Sequence, residues 1–205
     1  MSTSPEEEPV RSGATRRRLV LAGLVAGGAA LVVGAAVLPG LRSGAQVTGL
    51  AAVRVYEDLP RDHVEGNVTY EESPPVGGQH DPVWLDCGVY DTQVRAENVV
   101  HDLEHGTVLL TYDPAVVEDD EVATLAGFLP DNGILSPWPG QGAPVVATVW
   151  GRQLDLTGVD DTRLPLFLEA FGHGETAPEP FASCAGGLHD ADGTGDLYED
   201  GSLAA

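Results

Sequence analysis

One apolar segment divides this chain and restricts what the rest of it can become. Residues 19–38 contain neither a charged nor an amide side chain, and Pro39-Gly40 follows them directly. A helix of 20 residues rises about 1.5 Å per residue, which is enough to cross the ~30 Å hydrocarbon core of a bilayer. The sequence therefore predicts one transmembrane helix over 19–38.

The arginines that flank this segment indicate its orientation. Arg11 and residues 16–18 precede it, whereas only Arg42 follows closely. Because cytoplasmic flanks carry the excess of positive charge, we expect a single-pass cell-membrane protein with a cytoplasmic N-terminus. A cleaved export signal is the competing interpretation, since three consecutive arginines precede the segment and small residues at 43–45 offer a cleavage site. The length of the apolar segment favours the anchor.

The composition changes several times along the chain, and these changes predict five parts. The outer two are poor in large apolar residues, as disordered segments are, and the last is rich in Gly and Asp. The parts are a disordered cytoplasmic tail (1–18), the transmembrane helix (19–38), a linker (39–52), an extracytoplasmic domain (53–184) and a flexible acidic tail (185–205).

The charge of the exported part excludes one class of partner. The formal net charge is −22, all ten basic residues are arginine, and 29 of the 32 acidic residues follow residue 39. Such a surface repels phosphate backbones, so the sequence excludes nucleic acid as a partner. Contact with the membrane is expected through the N-terminal helix alone, and no feature of the sequence indicates a protein partner.

Hydrophobic patterning within 53–184 mixes strands and helices without a regular βαβ rhythm. The fold class we predict is α+β, with a small, mainly antiparallel sheet and three short helices. Helices are predicted at 97–105, 118–129 and 160–171, strands at 107–112 and 145–156 with shorter ones in 53–70, and loops or turns at 71–82 and 136–140.

Both cysteines, Cys87 and Cys184, lie in the part predicted to be exported. An even number of cysteines in an oxidising compartment favours a disulfide, which here would close a loop of nearly a hundred residues. A thiolate metal site or redox pair is the alternative, but the chain lacks a Cys-x-x-Cys spacing.

Two of the six histidines have a spacing typical of a metal site. His101 and His105 are four residues apart on a predicted helix, so their side chains share one face within reach of one ion. Imidazole is a common ligand of zinc and copper, and His80, beside Asp81 in the Pro/Gly-rich loop, is the candidate third ligand. Imidazoles alone do not distinguish one copper ion from one zinc ion. We interpret His63, His173 and His189 as solvated or locally hydrogen-bonded.

Glu104 completes a His-x-x-Glu-His pattern with the same two histidines. In inverted zinc peptidases this pattern supplies two metal ligands and a carboxylate base, which makes Glu104 a candidate catalytic residue of a metallohydrolase. The predicted helix is short for such an enzyme, so Glu104 can instead be a fourth ligand or contact a ligand. The alternative that we place ahead of a metallohydrolase is a metal-free cell-envelope interaction or structural domain, with the histidines in a buried hydrogen-bond network.

Several separated motifs resemble, in the right order, the uncharacterised bacterial family known as domain of unknown function 3105. They cover roughly residues 50–185 behind the same kind of single membrane span, and comprise 75–90, 97–106, 147–152 and 177–180 with Cys184. No activity is established for that family, so the resemblance implies an architecture but no reaction. It implies that His80, His101, Glu104, His105 and the two cysteines are motif positions, and that a metal such as copper is involved.

Overall fold

A computed structural model of the protein describes residues 49–180 and 182–194. The predicted cytoplasmic tail, the transmembrane helix at 19–38 and most of the linker lie outside the described residues. None of the helices in the described ranges combines the length and apolar character needed to cross a membrane.

The described chain forms three helices and one six-stranded sheet, which confirms a mixed α+β fold. The helices begin and end close to the predicted positions. They are α1 (Ala96–Glu104), α2 (Asp119–Ala126) and α3 (Arg163–Phe171). The strands are β1 (Arg54–Val55), β2 (Gly88–Val89), β3 (Val108–Tyr112), β4 (Gly133–Pro137), β5 (Val145–Val149) and β6 (Arg152–Leu156).

The sheet has the order β1-β6-β5-β3-β4-β2 and is not purely antiparallel. β1, β6, β5 and β3 pair antiparallel in succession, whereas β3 with β4 and β4 with β2 pair parallel. Three of the five pairings are antiparallel, and the parallel pairings on the β4 side are what the expectation of a mainly antiparallel sheet does not include. The physical reason is the crossover through α2, which returns the chain to the same end of the sheet so that β4 runs alongside β3.

Apolar side chains pack on both faces of this sheet. Successive residues of a strand point to opposite faces, and Leu109 and Leu110 accordingly join different hydrophobic clusters. Leu110 packs in the cluster that contains side chains of α2 and α3, and Leu109 packs with those of α1. Helices thus cover both faces of the sheet: α2 and α3 pack on one face and α1 packs on the other.

A disulfide and a pair of backbone hydrogen bonds hold the end of the described chain to the domain. The predicted disulfide between Cys87 and Cys184 is present. Beyond it, Leu188 is buried and pairs through its backbone with Trp84 and Asp86. An apolar side chain and strand-like hydrogen bonds therefore attach this part of the chain to the domain.

Candidate metal centre

Helix α1 and its C-cap residue, His105, provide three side chains of the candidate site. His101, Glu104 and His105 lie on one face and are 5%, 5% and 7% exposed. The helix ends in a Schellman motif, in which Gly106 donates to the Leu103 carbonyl and Thr107 to the Asp102 carbonyl. Gly106 adopts the positive φ of 83° that this ending requires, so the chain turns directly from the histidine face into β3.

Two loop histidines reach the same place through backbone pairing. His63 and His80 form a parallel bridge, in which the Val64 amide donates to the His80 carbonyl (2.7 Å) and the His80 amide to the Asp62 carbonyl (3.2 Å). The amide of Asp81 then donates to the carbonyl of Glu97 on α1 (3.1 Å). Through these bonds the two loops lie against the helix face.

The four rings form one histidine cluster, consisting of His63, His80, His101 and His105. One ring nitrogen from each of the first three lies within 4.8 Å of the others. Nε2 of His101 is 3.1 Å from Nε2 of His105. Two nitrogens bound to one tetrahedral ion at about 2.0–2.1 Å would be roughly 3.3 Å apart. The His101–His105 pair already has such a separation, whereas the first three rings must move closer to share an ion.

Two rings of the cluster are oriented by backbone carbonyls. Nδ1 of His80 is 2.8 Å from the Gly78 oxygen, and Nδ1 of His101 is 2.7 Å from the Asp81 oxygen. A carbonyl accepts only from N–H, so each ring carries its proton on Nδ1. The Nε2 atoms of both rings are therefore directed into the cluster, as in metal sites where the distal ring nitrogen is held by a carbonyl.

Glu104 places a carboxylate against these nitrogens. Its Oε2 lies 3.0 Å from Nε2 of His80 and 3.9 Å from Nε2 of His63. Because His80 donates through Nδ1, the Nε2 atom of a neutral His80 ring is an acceptor. The ionised Glu104 carboxylate that it faces is also an acceptor. The close approach is favourable when a proton, on the ring or on the carboxyl group, or a cation lies between the two groups.

Burial keeps two rings uncharged in the absence of an ion. Loss of hydration lowers the pKa of His101 to about 4, and the neighbouring imidazoles lower it further by repelling a positive charge. Burial also lowers the pKa of His105. Both rings are therefore neutral near pH 7 and offer lone pairs, which is the form that binds metals.

The cluster has an aromatic wall and one open side. The Trp84 ring packs against His101 and His105, with centroid separations of 5.6 and 5.3 Å. The Trp150 ring approaches His80 edge-on, at 6.2 Å. The side chain of His63 is 50% exposed, so solvent reaches the cluster from the His63 side.

The structure brings His80, His101, His105 and Glu104 together, and it adds His63. The sequence predicts His63 to be solvated or locally hydrogen-bonded, because a single histidine in an irregular segment has no spacing signal. His173 and His189 are exposed and lie outside the cluster, and His189 contacts Asp86 instead (3.2 Å). Glu104, the candidate base, contacts two imidazoles rather than standing apart from them.

The fold and the cluster define a class: a mixed α+β domain with buried imidazoles and a carboxylate at one end of a short helix. The model of the family described as protein of unknown function (DUF3105) matches residues 63–186. The chain belongs to this family, and the matched range contains every residue of the cluster. Neither the curated proteins nor the solved structures include a significant match to the chain.

Proposed function

We propose that this chain is a membrane-tethered, extracytoplasmic domain that binds one transition-metal ion, copper or zinc. His63, His80 and His101 are the ligands, and Glu104 or His105 completes the coordination. The observation that carries the proposal is the convergence of three imidazole nitrogens within 4.8 Å, with two of the rings held by backbone carbonyls. Nitrogen ligands of this kind suit both metals.

The surroundings of the cluster support reversible binding. Neutral rings need not lose a proton before they coordinate, and the His63 side admits an ion from solvent. The acidic surface raises the local concentration of cations near this side. The tethering rests on the apolar segment 19–38, and the disulfide supports an oxidising compartment outside the cytoplasm.

A metal-free structural role is the second candidate, and a specific observation favours it. Nε2 of His105 can donate to Nε2 of His101, and Nε2 of His80 can share a proton with Glu104, so that protons bridge both contacts. Under this role the histidines stabilise the fold and no ion is needed. The two candidates differ in what a substitution does to ion content and to stability.

Metal content of the purified full chain in mild detergent separates the candidates. Copper(II) and zinc(II) would be titrated separately, and bound ions counted by elemental analysis after desalting. We expect about one ion per chain in the wild type and none in His80→Ala or His101→Ala. The matched controls are His173→Ala and His189→Ala, which remove exposed imidazoles and should leave the stoichiometry unchanged.

The stability of the same variants completes the test. A wild type that retains neither metal, together with a large loss of stability in His80→Ala, would establish the structural network instead. Equal loss of ions in the two control variants would show that the metals bind to exposed imidazoles. Full occupancy in His101→Ala would also overturn the proposed ligand set.

A further inference from the structure

We propose that Arg95 is the positioning residue that makes His63 a metal ligand. The inference rests on the proposed metal site and identifies what holds that site's most exposed ligand in place. Arg95 is the N-cap residue of α1, and the partners of its guanidinium are Asp81, Asn98, Gly66 and Glu97 rather than a ring of the cluster. Its guanidinium instead ties the segment that carries His63 to the helix and loop that carry the other ligands.

Three segments meet at this guanidinium. Nη2 donates to the Gly66 carbonyl (2.8 Å), just beyond His63. Nη1 donates to the carboxylate of Asp81 (2.8 Å) and to the side-chain oxygen of Asn98 on α1 (2.7 Å). The planar group with its five donors allows one side chain to bind all three at fixed angles.

Glu97 adds a second attachment for the same segment. Its Oε1 accepts from the Val68 amide (2.8 Å), while its Oε2 lies 3.2 Å from Nε of Arg95. The two residues thus hold the backbone on the C-terminal side of His63 at two points. The ion pair between them links those points to each other.

His63 needs such an attachment more than the other ligands do. Residues 61–63 and 65–67 are exposed, and the bridge to His80 is the pairing that places His63. His101 is fixed within α1, and His80 is fully buried. Without the bonds to Gly66 and Val68, the His63 ring would lose its fixed distance from the cluster.

Asp81 connects the interactions of Arg95 to the histidine cluster itself. Its carboxylate accepts from Arg95, and its carbonyl accepts from Nδ1 of His101. Arg95 therefore fixes the His63 segment relative to Asp81, the residue whose carbonyl orients the His101 ring. A lysine at position 95 would retain the positive charge beside Asp81 and Glu97, but a single ammonium lacks the fork that reaches three segments.

The test is a double-mutant cycle on metal affinity in the purified full chain. Wild type, Arg95→Lys, His63→Ala and the double variant would be titrated with copper(II) and zinc(II) against a competing chelator. We expect Arg95→Lys to weaken binding about tenfold, as for other residues that orient ligands. In the His63→Ala background the same substitution should have little further effect, because the ligand it positions is gone.

Arg54→Lys provides the matched control. Arg54 also bonds three side chains, those of Tyr56, Gln153 and Asp155 at the β1 edge of the sheet, and its substitution should leave metal affinity unchanged. Amide exchange adds a readout without metal, since Arg95→Lys should raise exchange at Val64 and Val68, whereas Arg54→Lys should not.

Three results would overturn the inference in distinguishable ways. A wild type that binds neither metal removes the proposed function and this inference together. Normal binding in wild type with undiminished affinity in Arg95→Lys removes the inference alone. An equal loss of affinity with and without His63 shows that Arg95 acts on the whole site rather than through that ligand.

Discussion

His101 occupies the middle of the histidine cluster, and its surroundings determine its charge. Its ring stacks on His63 at 4.9 Å between centroids and lies 5.0 Å from His80 and 4.5 Å from His105. With 5% of its surface exposed, the ring lacks the water that would stabilise a proton on Nε2. The pKa of about 4 follows mainly from this desolvation.

The lowered pKa of His101 predicts acid sensitivity of the metal-free protein. An unfolded histidine has a pKa near 6.5, so between pH ~6.5 and 4 the unfolded chain binds the extra proton more readily. The free energy of unfolding should therefore be highest above this pH window. It should fall as the pH decreases through the window, by up to about 1.4 kcal/mol per pH unit for one group. Urea unfolding with excess chelator at pH 7.5, 6 and 5 measures the slope.

Substitutions assign that slope to the cluster. His101→Gln removes one titrating ring and should flatten the dependence, and the lowered pKa of His105 contributes a slope of the same sign. The other titratable groups beside the ring are His63 and His80. His189→Gln is the control that should retain the wild-type slope, and a flat wild-type profile over this window would contradict the prediction.

Sequence reasoning found most of the cluster but not all of it. His101 and His105 carry a local signal, because spacing by four on a helix fixes their common face. His80 could be chosen from its rigid loop, whereas His63 joins through tertiary contacts such as its bridge to His80, a residue 17 positions further along the chain. Such pairing between irregular segments depends on tertiary contacts, and no local pattern in the sequence predicts it.

At the scale of the element, α1 joins the cluster to the core. Its apolar side chains Val99, Val100 and Leu103 are fully buried, while the opposite side carries His101, Glu104 and His105. The segment 174–180 packs against the end of this helix, where the Glu179 amide donates to the Glu104 carbonyl (2.9 Å). The helix ending therefore supports both the fold and the position of two candidate ligands.

Gly106→Ala is predicted to destabilise the protein more than a typical glycine substitution. The positive φ costs an alanine about 1–2 kcal/mol, and the new Cβ would lie 2.9 Å from Cα of Gly174. Displacing that backbone should add about 1–3 kcal/mol. The loss is measured as unfolding free energy in urea.

Gly142→Ala separates the two causes. Gly142 has a similar φ of 86°, but an added Cβ there meets no atom within 4 Å. This variant should show the backbone cost alone. Equal losses in the two variants would mean that segment 174–180 adjusts freely and that the helix ending is not constrained by it.

The elements themselves were predictable to different degrees. The three helices and strands β3, β5 and β6 follow periodicities of the sequence, and their predicted ranges include the observed ones except for Ala96, the first residue of α1. β4 was missed because its last residues, Ser136 and Pro137, belong to a Pro- and Gly-rich stretch that resembles a turn. Its parallel pairing with β3 depends on the α2 crossover, which leaves no mark in the periodicity of either strand.

At the scale of the whole domain, the disulfide joins distant parts of the chain around the candidate site. Cys87 and Cys184 are 97 positions apart, and the enclosed chain includes α1, α2, α3 and five of the six strands of the described sheet. Trp84, which packs on two cluster rings, lies three residues before one cysteine, and segment 174–180 shortly precedes the other. The link thus holds two walls of the site.

Replacing both cysteines by alanine should therefore weaken folding and metal binding together. The chain-entropy model gives about 4–5 kcal/mol for a loop of this length, and the loss of unfolding free energy in chelator should approach that value. Wild type treated with reductant should lose a similar amount, which controls for the volume lost at the buried Cys184. At a temperature where the variant stays folded, its metal affinity should also be lower, since Trp84 and Glu179 are less firmly held. An unchanged urea midpoint would show that the core alone maintains the domain. Unchanged metal affinity together with lowered stability would show that the site depends on α1 and the loop histidines rather than on the disulfide.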